Sequence, residues 1–327
     1  MTDRATVFED TIIGLETTRG VSVPVTKRLS SLGFSISPEI ETRRFRPQGR
    51  KLDTLVIPGR SSSTADIEGA GTFHDIVYAL SSILGKTTPV LVATTTAVWD
   101  WTFNILPSAP DNPATYTVES GSSVRAAKFT HGMFTDLTLD MNTEEVTVSG
   151  TMMGQGYTDG VAKTTAGVTS TGDTPIIPDD IDVFLDSTFA TLATTQLLRV
   201  MGVNLEIGSR FSPVWTMNSQ IDSWAAYVET APDLAITLNV EADTAGMALL
   251  PHLRTGATRW IAIKTAGPII EGTSKYELDI RGPVKVEAIN SLGDSDGVYA
   301  AEWGLRAIDT TDISGVRIRV RTNFSTL

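Results

Sequence analysis

Alternation of apolar and polar residues along short segments is the feature that most restricts the fold of this 327-residue chain. It is clear at 33–37 and 135–140, and it returns at 203–207 and 236–241. Successive side chains of a strand point to opposite faces, so a period of two is typical of strands, whereas helices need a period of 3.6. The chain is therefore predicted to be mainly β.

Only two segments show helical spacing, and they resemble each other. The apolar positions of the first recur 170 residues later: Val77, Leu80 and Ile83 match Met247, Leu250 and Leu253. Each segment is followed by a glycine, Gly85 or Gly256, at which a helix can end, and Pro251 is expected to shorten the second helix.

A second match has almost the same offset, since Leu32-Gly33 recurs as Met201-Gly202 after 169 residues. Hairpins predicted at 134–152 and 284–305 are about 150 residues apart, which places an insertion of about 20 residues near 87–128. We therefore predict two tandem copies of one β unit, each with a flanking helix, over 1–155 and 191–327. Residues 156–190 would form a linker or loop. Chance similarity of two β-rich halves is the alternative, and in either case the length favours a core split in two.

The chain is acidic, with 38 Asp and Glu against 26 Lys and Arg and a net charge of −12. This argues against wrapping duplex DNA on a continuous basic surface. The segment 41–63 breaks the trend and is predicted to be a long basic loop. Long loops are usually functional or ordered by a partner, so we expect contacts with a neighbouring subunit from Arg43, Arg44, Arg46, Arg50 and Lys51.

Acidic residues occupy the polar positions of several alternating segments: Asp66, Glu68, Asp136, Asp140, Glu206 and Glu241. An ordinary solvated face of an antiparallel sheet would explain them. The alternative is one acidic surface that several units build side by side.

The sequence offers little for catalysis or for metal binding. The absence of cysteine excludes disulfides and thiolate chemistry. The three histidines share no ligand spacing, so surface or capping roles are expected, and the tryptophans are expected to pack in the core or at an interface. We predict no catalytic residue, metal or cofactor. A hydrolase would have to use carboxylate pairs such as Asp136 and Asp140, or Asp294 and Asp296.

No apolar run is long enough for a membrane span, and the first residues do not predict a secretory signal. We expect no membrane partner and synthesis in a cytoplasm.

Several sequence blocks share features with one known family. They include Gly14-Leu15-Glu16-Thr17-Thr18, Phe45-Arg46-Pro47-Gln48-Gly49-Arg50-Lys51, Pro213-Val214-Trp215, and the stretch from Val240-Glu241-Ala242-Asp243 to Leu250. Taken together, the blocks resemble the major tail tube proteins of bacteriophages with long non-contractile tails. The blocks extend over nearly the whole chain. A tail terminator or a distal tail ring protein of similar fold is the alternative to a tail tube protein.

The resemblance implies a β-sandwich unit with a flanking helix. Such units form stacked rings, their inner strands close a barrel around a DNA channel, and long loops and terminal arms bind the rings above and below. The six acids named above would line the channel, and the five basic residues of 41–63 would lie between subunits or rings. Two units per chain favour three chains per pseudo-six-fold ring, with true hexamers as the alternative.

The implied location is the virion, after assembly in the host cytoplasm. The implied partners are further copies of the chain, the tape measure, terminator and distal tail proteins, and DNA that passes without specific binding. A two-domain β-sandwich binding module with exposed tryptophan platforms is the competing interpretation.

Overall fold

The fold is mainly β, as predicted from the alternation. A computed structural model of the chain describes residues 9–106, 108–217, 222–295, 297–313 and 315–327. Strands account for 56% and helices for 8%, with two α-helices in this described part. None of its helices is long and apolar enough to span a membrane.

The first half of the chain contains the first nine strands and one helix. In chain order these are β1 (Asp10–Leu15), β2 (Lys27–Arg28), β3 (Leu32–Phe45), β4 (Leu55–Ala70), α1 (Asp75–Ile83), β5 (Val90–Leu91), β6 (Trp99–Asn104), β7 (Tyr116–Gly121), β8 (Ala126–Asn142) and β9 (Val146–Val161).

The remainder contains the other strands and the second helix. These are β10 (Thr169–Ser170), β11 (Ile181–Asp186), β12 (Val200–Gly208), β13 (Phe211–Val214), β14 (Ala226–Glu229), β15 (Asp233–Glu241), α2 (Leu250–Thr255), β16 (Arg259–Glu271), β17 (Ser274–Ser295), β18 (Val298–Ala307) and β19 (Arg317–Thr322).

Eight strands form one continuous antiparallel run in the order β3-β4-β9-β8-β12-β15-β18-β17. The two halves of the chain meet at its centre, where Leu205 of β12 lies opposite Leu139 of β8. We call this the eight-stranded sheet. Its order in the first half, β3-β4-β9-β8, recurs in the second as β12-β15-β18-β17.

A further layer forms because β8 and β17 are long enough to belong to two layers. The start of β8 pairs with β7, which pairs with β1. In the same way the start of β17 pairs with β16, which pairs with β11. In the second half this layer continues from β17 through β19 and β6 to β5, so the predicted insertion supplies a partner for the last strand.

One large hydrophobic core lies behind the eight-stranded sheet and includes residues of both halves, such as Leu139, Leu205 and Ile236. The prediction of a split core is therefore wrong. Pairing of β8 with β12 makes the sheet continuous, and side chains of both halves then fill one space behind it. A small second cluster contains Trp224 and Phe211.

Each helix follows the second strand of its half of the eight-stranded sheet: α1 follows β4, and α2 follows β15. Thr72 Oγ1 accepts a hydrogen bond from the Asp75 N–H (3.1 Å), and Asp243 Oδ1 accepts one from the Gly246 N–H (2.8 Å). These two side chains cap equivalent turns 171 residues apart. Gly85 and Gly256, also 171 apart, follow the helices with positive φ (99° and 63°), as expected of residues that end a helix.

Two predicted loops differ from the structure. The segment 41–63 is the outer part of the β3–β4 hairpin, and only 46–54 lies outside its strands. The segment 156–190 includes the end of β9, then β10 paired with β2, then β11. Main-chain pairing orders both segments although much of their surface is polar.

Candidate functional site

All six predicted channel acids lie on the face of the eight-stranded sheet that points away from the core. Residues directly opposite each other on neighbouring strands share a face. Thr151 of β9 lies opposite both Asp66 and Asp136, and Glu206 of β12 lies opposite Thr138 of β8. The register thus connects acids from both halves on one surface, which we call the acidic face. It contains Asp66, Glu68, Asp136, Asp140, Glu206 and Glu241.

Small and uncharged polar residues fill much of the acidic face between the acids. They include Ser35, Ser149, Thr138, Asn204 and Thr237. Around these acids, large apolar side chains point to the core side because each strand alternates. Met153, which lies opposite Thr64, is an exception and packs in the second cluster with Trp224. The face therefore offers negative charge and hydroxyl groups but few apolar contacts.

Most of these acids form no salt bridge in the part of the chain that the structure describes. Within the described residues, Glu241 is the one of the six that forms a salt bridge, with its Oε2 2.7 Å from Arg199 Nη1. Asp140 accepts a hydrogen bond from Asn204 Nδ2 (3.3 Å), which leaves its charge uncompensated. The acidic face therefore carries a net negative potential around its centre.

Three further acids of the same sheet face were not predicted from the sequence. Glu302 lies opposite Asn239 and accepts a hydrogen bond from Asn290 Nδ2 (3.0 Å). Asp233 forms a salt bridge with Arg306 (2.6 Å), and Glu287 lies 3.8 Å from the same guanidinium. The alternation Glu302-Trp303-Gly304-Leu305 was the available signal, since Trp303 and Leu305 are buried.

The five predicted contact residues lie together on the outer part of the β3–β4 hairpin, residues 40–57, which we call the basic hairpin. Arg43 and Arg44 lie on β3, and Arg46, Arg50 and Lys51 lie in the connection. All five are exposed, and none forms a salt bridge within the described residues. Large apolar side chains on the same hairpin are also exposed, up to 79% for Leu52.

Within the described residues, the eight-stranded sheet has no further strand paired beyond β3 at one end or beyond residues 285–295 of β17 at the other. Beyond β3, the Phe34 N–H donates to Thr11 Oγ1 (3.1 Å), and the Phe34 carbonyl accepts from Ser120 Oγ (2.8 Å). A groove of about 580 Å³ lies along this edge and is lined by Ser35, Asp66 and other polar residues. At the other end, residues 285–295 of β17 pair with β18 on one side alone in the described chain.

The β13–β14 hairpin is anchored to the first half by a buried charge cluster. Arg210, fully buried, donates through Nη2 to Asp111 and through Nε to the Ile83 carbonyl (3.0 Å), and Glu229 lies 3.2 Å from the same Nη2. Burial raises the pKa of Asp111, although the Arg210 charge opposes this. The cluster joins the end of α1 to the second half.

Trp224, which follows β13 along the chain, adds an apolar anchor. Its Nε1 donates to the Gly154 carbonyl (3.1 Å), and its ring lies 4.4 Å from that of His131. Trp101 and Trp303 are also fully buried. The exposed tryptophan platforms expected of a binding module are not formed by these three residues.

Two of the histidines are buried, contrary to the predicted surface or capping roles. His74 lies against the rings of Tyr276 and Phe324, and His131 against Trp224. Burial lowers the pKa of both imidazoles. The aromatic neighbours belong to other parts of the chain, so local sequence gave no sign of this burial.

The carboxylate pairs considered for hydrolysis are not arranged for it. Asp136 and Asp140 lie four residues apart on one strand, which separates their Cα atoms by about 13 Å. Glycosidase carboxyl groups are about 5–9.5 Å apart. Asp294 accepts a hydrogen bond from the Gly297 N–H (3.2 Å), and Asp296 lies outside the described residues. Over the same described ranges, no three His, Asp or Glu residues are grouped as metal ligands.

No family model matches the sequence, and no curated protein matches it.

Proposed function

We propose that this chain is the structural subunit of a phage tail tube, and that rings of it stack into a hollow tube with an acidic channel. The observation that carries the proposal is the eight-stranded sheet. In the described residues, the sheet has an acidic face with few large apolar side chains, an apolar face on the core, and an edge without a strand partner at each end. Such a sheet is suited to closing on itself with further copies, because closure removes edges that would otherwise aggregate.

The internal repeat supplies the geometry of the ring. We propose that the chain is two tandem β-sandwich tube units, because strand order, helix position and caps recur in both halves. Pairing of β8 with β12 joins the units within the chain. The equivalent pairing between chains joins β17 of one copy to β3 of the next. There, main-chain groups of β17 would replace the Thr11 and Ser120 side chains as hydrogen-bond partners of β3.

The size of the closed sheet fits a DNA conduit. Three copies of eight strands give 24 strands, which at about 4.8 Å spacing and about 40° tilt close a barrel of about 48 Å backbone diameter. Three copies would thus make a pseudo-six-fold ring. The acidic face lines the channel and repels the DNA polyanion, so the duplex passes without the counterion-releasing contacts that hold DNA on basic surfaces.

Charge also explains how rings could stack. The basic hairpin lies at one end of the sheet, and the turns between β8 and β9 and between β17 and β18 lie at the other. That other end carries the exposed acids Glu144, Asp179 and Asp294. Basic hairpins of one ring would meet this acidic end of the next, and their exposed apolar side chains would be covered there. At the tube ends the same surfaces would meet terminator, distal tail and tape measure proteins in the virion.

Negative-stain electron microscopy of the purified protein tests the proposal. We expect rings and tubes with a central channel. Replacement of Arg43, Arg44, Arg46, Arg50 and Lys51 by Ser should leave the monomer folded and abolish stacking, because repeated ion pairs around a ring set the register between rings. The control replaces basic residues elsewhere, the exposed Arg28 and Arg125 and the half-buried Lys128, and should form normal tubes.

Normal tubes from the five-residue variant would refute the role of the basic hairpin. Native rings that never stack would favour a terminator or distal tail protein. Monomers under all conditions would refute the tube.

A further inference from the structure

The two helices differ sharply in how they are covered, although they occupy equivalent places in the two halves. Every residue of α1 is buried, whereas no residue of α2 is buried. The apolar residues Met247, Leu250 and Leu253 are half-buried. Thr244 and Ala245, which precede the 3₁₀ turn Gly246–Leu249 that leads into α2, are exposed. A structural element that covers α1 is therefore missing over α2.

Part of the cover over α1 comes from residues 171–176, which lead into β11 and which we call the lead-in segment. The Phe73 N–H donates to the Thr174 carbonyl (3.1 Å), and the Ile176 N–H donates to the Gly71 carbonyl (2.8 Å). Ile176 is buried in the large core beside the helix. The segment that precedes the first strand of the second half thus packs on the first half.

The equivalent main-chain groups of the second half lack such partners. Positions 71 and 73 correspond to Ala242 and Thr244, given the offset of 171 between the helix caps. In the described ranges, no backbone hydrogen bond reaches the Ala242 carbonyl or the Thr244 N–H. A groove of about 480 Å³ lies beside α2 and is lined by Leu185, Leu197, Ala248 and other residues.

The repeat identifies what fits this groove. Within one chain, the lead-in segment of the second unit packs on the first unit. In the proposed ring, the unit that follows the second half is the first half of the next copy. Its equivalent lead-in is the stretch before β1, residues 1–8, which lie outside the described residues.

We propose that the stretch before β1 of one copy docks on Ala242, Thr244 and α2 of its ring neighbour. It makes two main-chain hydrogen bonds there and inserts apolar side chains beside the helix. Val7 and Phe8 are apolar residues of this stretch, three and two positions before β1, and Ile176 and Ile177 lie five and four positions before β11. This inference rests on the proposed ring and adds a second contact between neighbours to the pairing of β17 with β3.

Cross-linking of single-cysteine variants tests the contact, and the chain contains no cysteine of its own. Copies with Thr6→Cys are mixed with copies carrying Ala245→Cys, assembled, and treated with a short bismaleimide. We expect covalent dimers from this mixture, and none from either variant alone or from Thr6→Cys mixed with Ala166→Cys. Ala166 is the control because it is exposed on the first half.

A second variant tests the hydrogen bond itself. Thr244→Pro removes the N–H that the neighbour should use, and proline is well tolerated in the first position after a helix cap. Thr244→Ala keeps the N–H. We expect the monomers of both variants to fold. The protein concentration at which half of the chains are assembled should be about tenfold higher for Thr244→Pro than for Thr244→Ala.

The outcomes separate the two proposals. Rings without a cross-link to position 245, together with equal assembly of the two Thr244 variants, would overturn this contact and leave the tube intact. Failure of the native protein to form rings at any concentration would overturn the tube and this contact together.

Discussion

Removal of the Arg210 side chain should destabilise the chain far more than removal of an arginine that is equally well paired but exposed. Arg210 and Asp111 are 0% and 2% exposed, whereas Arg306 and Asp233 are 48% and 57% exposed. Loss of one partner from a buried pair costs about 3–5 kcal/mol, because the remaining charge is buried without compensation. Loss of an exposed pair costs about 0–1 kcal/mol.

The expected change in melting temperature follows from the chain length. Unfolding entropy of about 2.1 cal/mol/K per residue gives about 0.7 kcal/mol/K for 327 residues, so Arg210→Met should lower Tm by about 4–7 °C if the chain unfolds in one step. Arg306→Met is the control and should lower Tm by no more than about 1.5 °C. Circular dichroism at neutral pH measures both.

A double variant shows whether the buried charge is the cause. With Arg210→Met and Asp111→Leu combined, the uncompensated carboxylate is gone, and we expect recovery of at least half of the lost stability. Equal, small losses for Arg210→Met and Arg306→Met would refute the buried cluster. A double variant less stable than Arg210→Met alone would refute the electrostatic explanation.

Two further predictions concern the channel and pH. Replacement of Asp136, Asp140 and Glu206 by Lys should allow tubes to form but slow DNA ejection, most at low salt where screening is weakest. Asp309→Lys and Asp312→Lys are the control, because both residues are exposed and lie outside the eight-stranded sheet, between β18 and β19. Normal ejection of the first variant at every salt concentration would contradict a channel location. The second prediction concerns the buried His74 and His131, whose pKa values are lowered in the folded chain. Below about pH 6.5 the unfolded chain therefore binds more protons than the folded chain, and the Tm of the monomer should fall as the pH falls from 7.5 to 5.5. His131→Asn, which suits the positive φ of 55°, should reduce that slope, and an unchanged slope would show that His131 does not contribute.

The acidic face could be predicted because its strands bury one side and expose the other. Residues such as Leu137 and Leu139 repeat at every second position, and the register then fixes where Asp136 and Asp140 point. The basic hairpin could not be recognised as a pair of strands from hydropathy, because both of its faces are exposed. Its apolar residues, such as Ile40 and Phe45, are exposed as well, so no alternation of buried and exposed positions marks the strands. Pairing between its two strands is what orders it.

Long-range pairings left no local signal. The β8–β12 pairing that makes the core continuous joins Leu139 to Leu205, and neither residue differs from those of any other buried strand. The cluster of Asp111, Arg210 and Glu229 joins segments about 100 residues apart. A single sequence shows each of these residues as an ordinary charged group, and only the fold brings them together.

The most direct test of the tube is a symmetry-resolved cryo-electron microscopy map of the assembled protein. Three copies per ring are expected, with β17 of each copy paired to β3 of the next, a continuous 24-stranded inner wall, and Asp66, Asp136 and Glu206 facing the channel. A ring in which these three acids face outward, or in which β3 and β17 remain unpaired, would contradict the account.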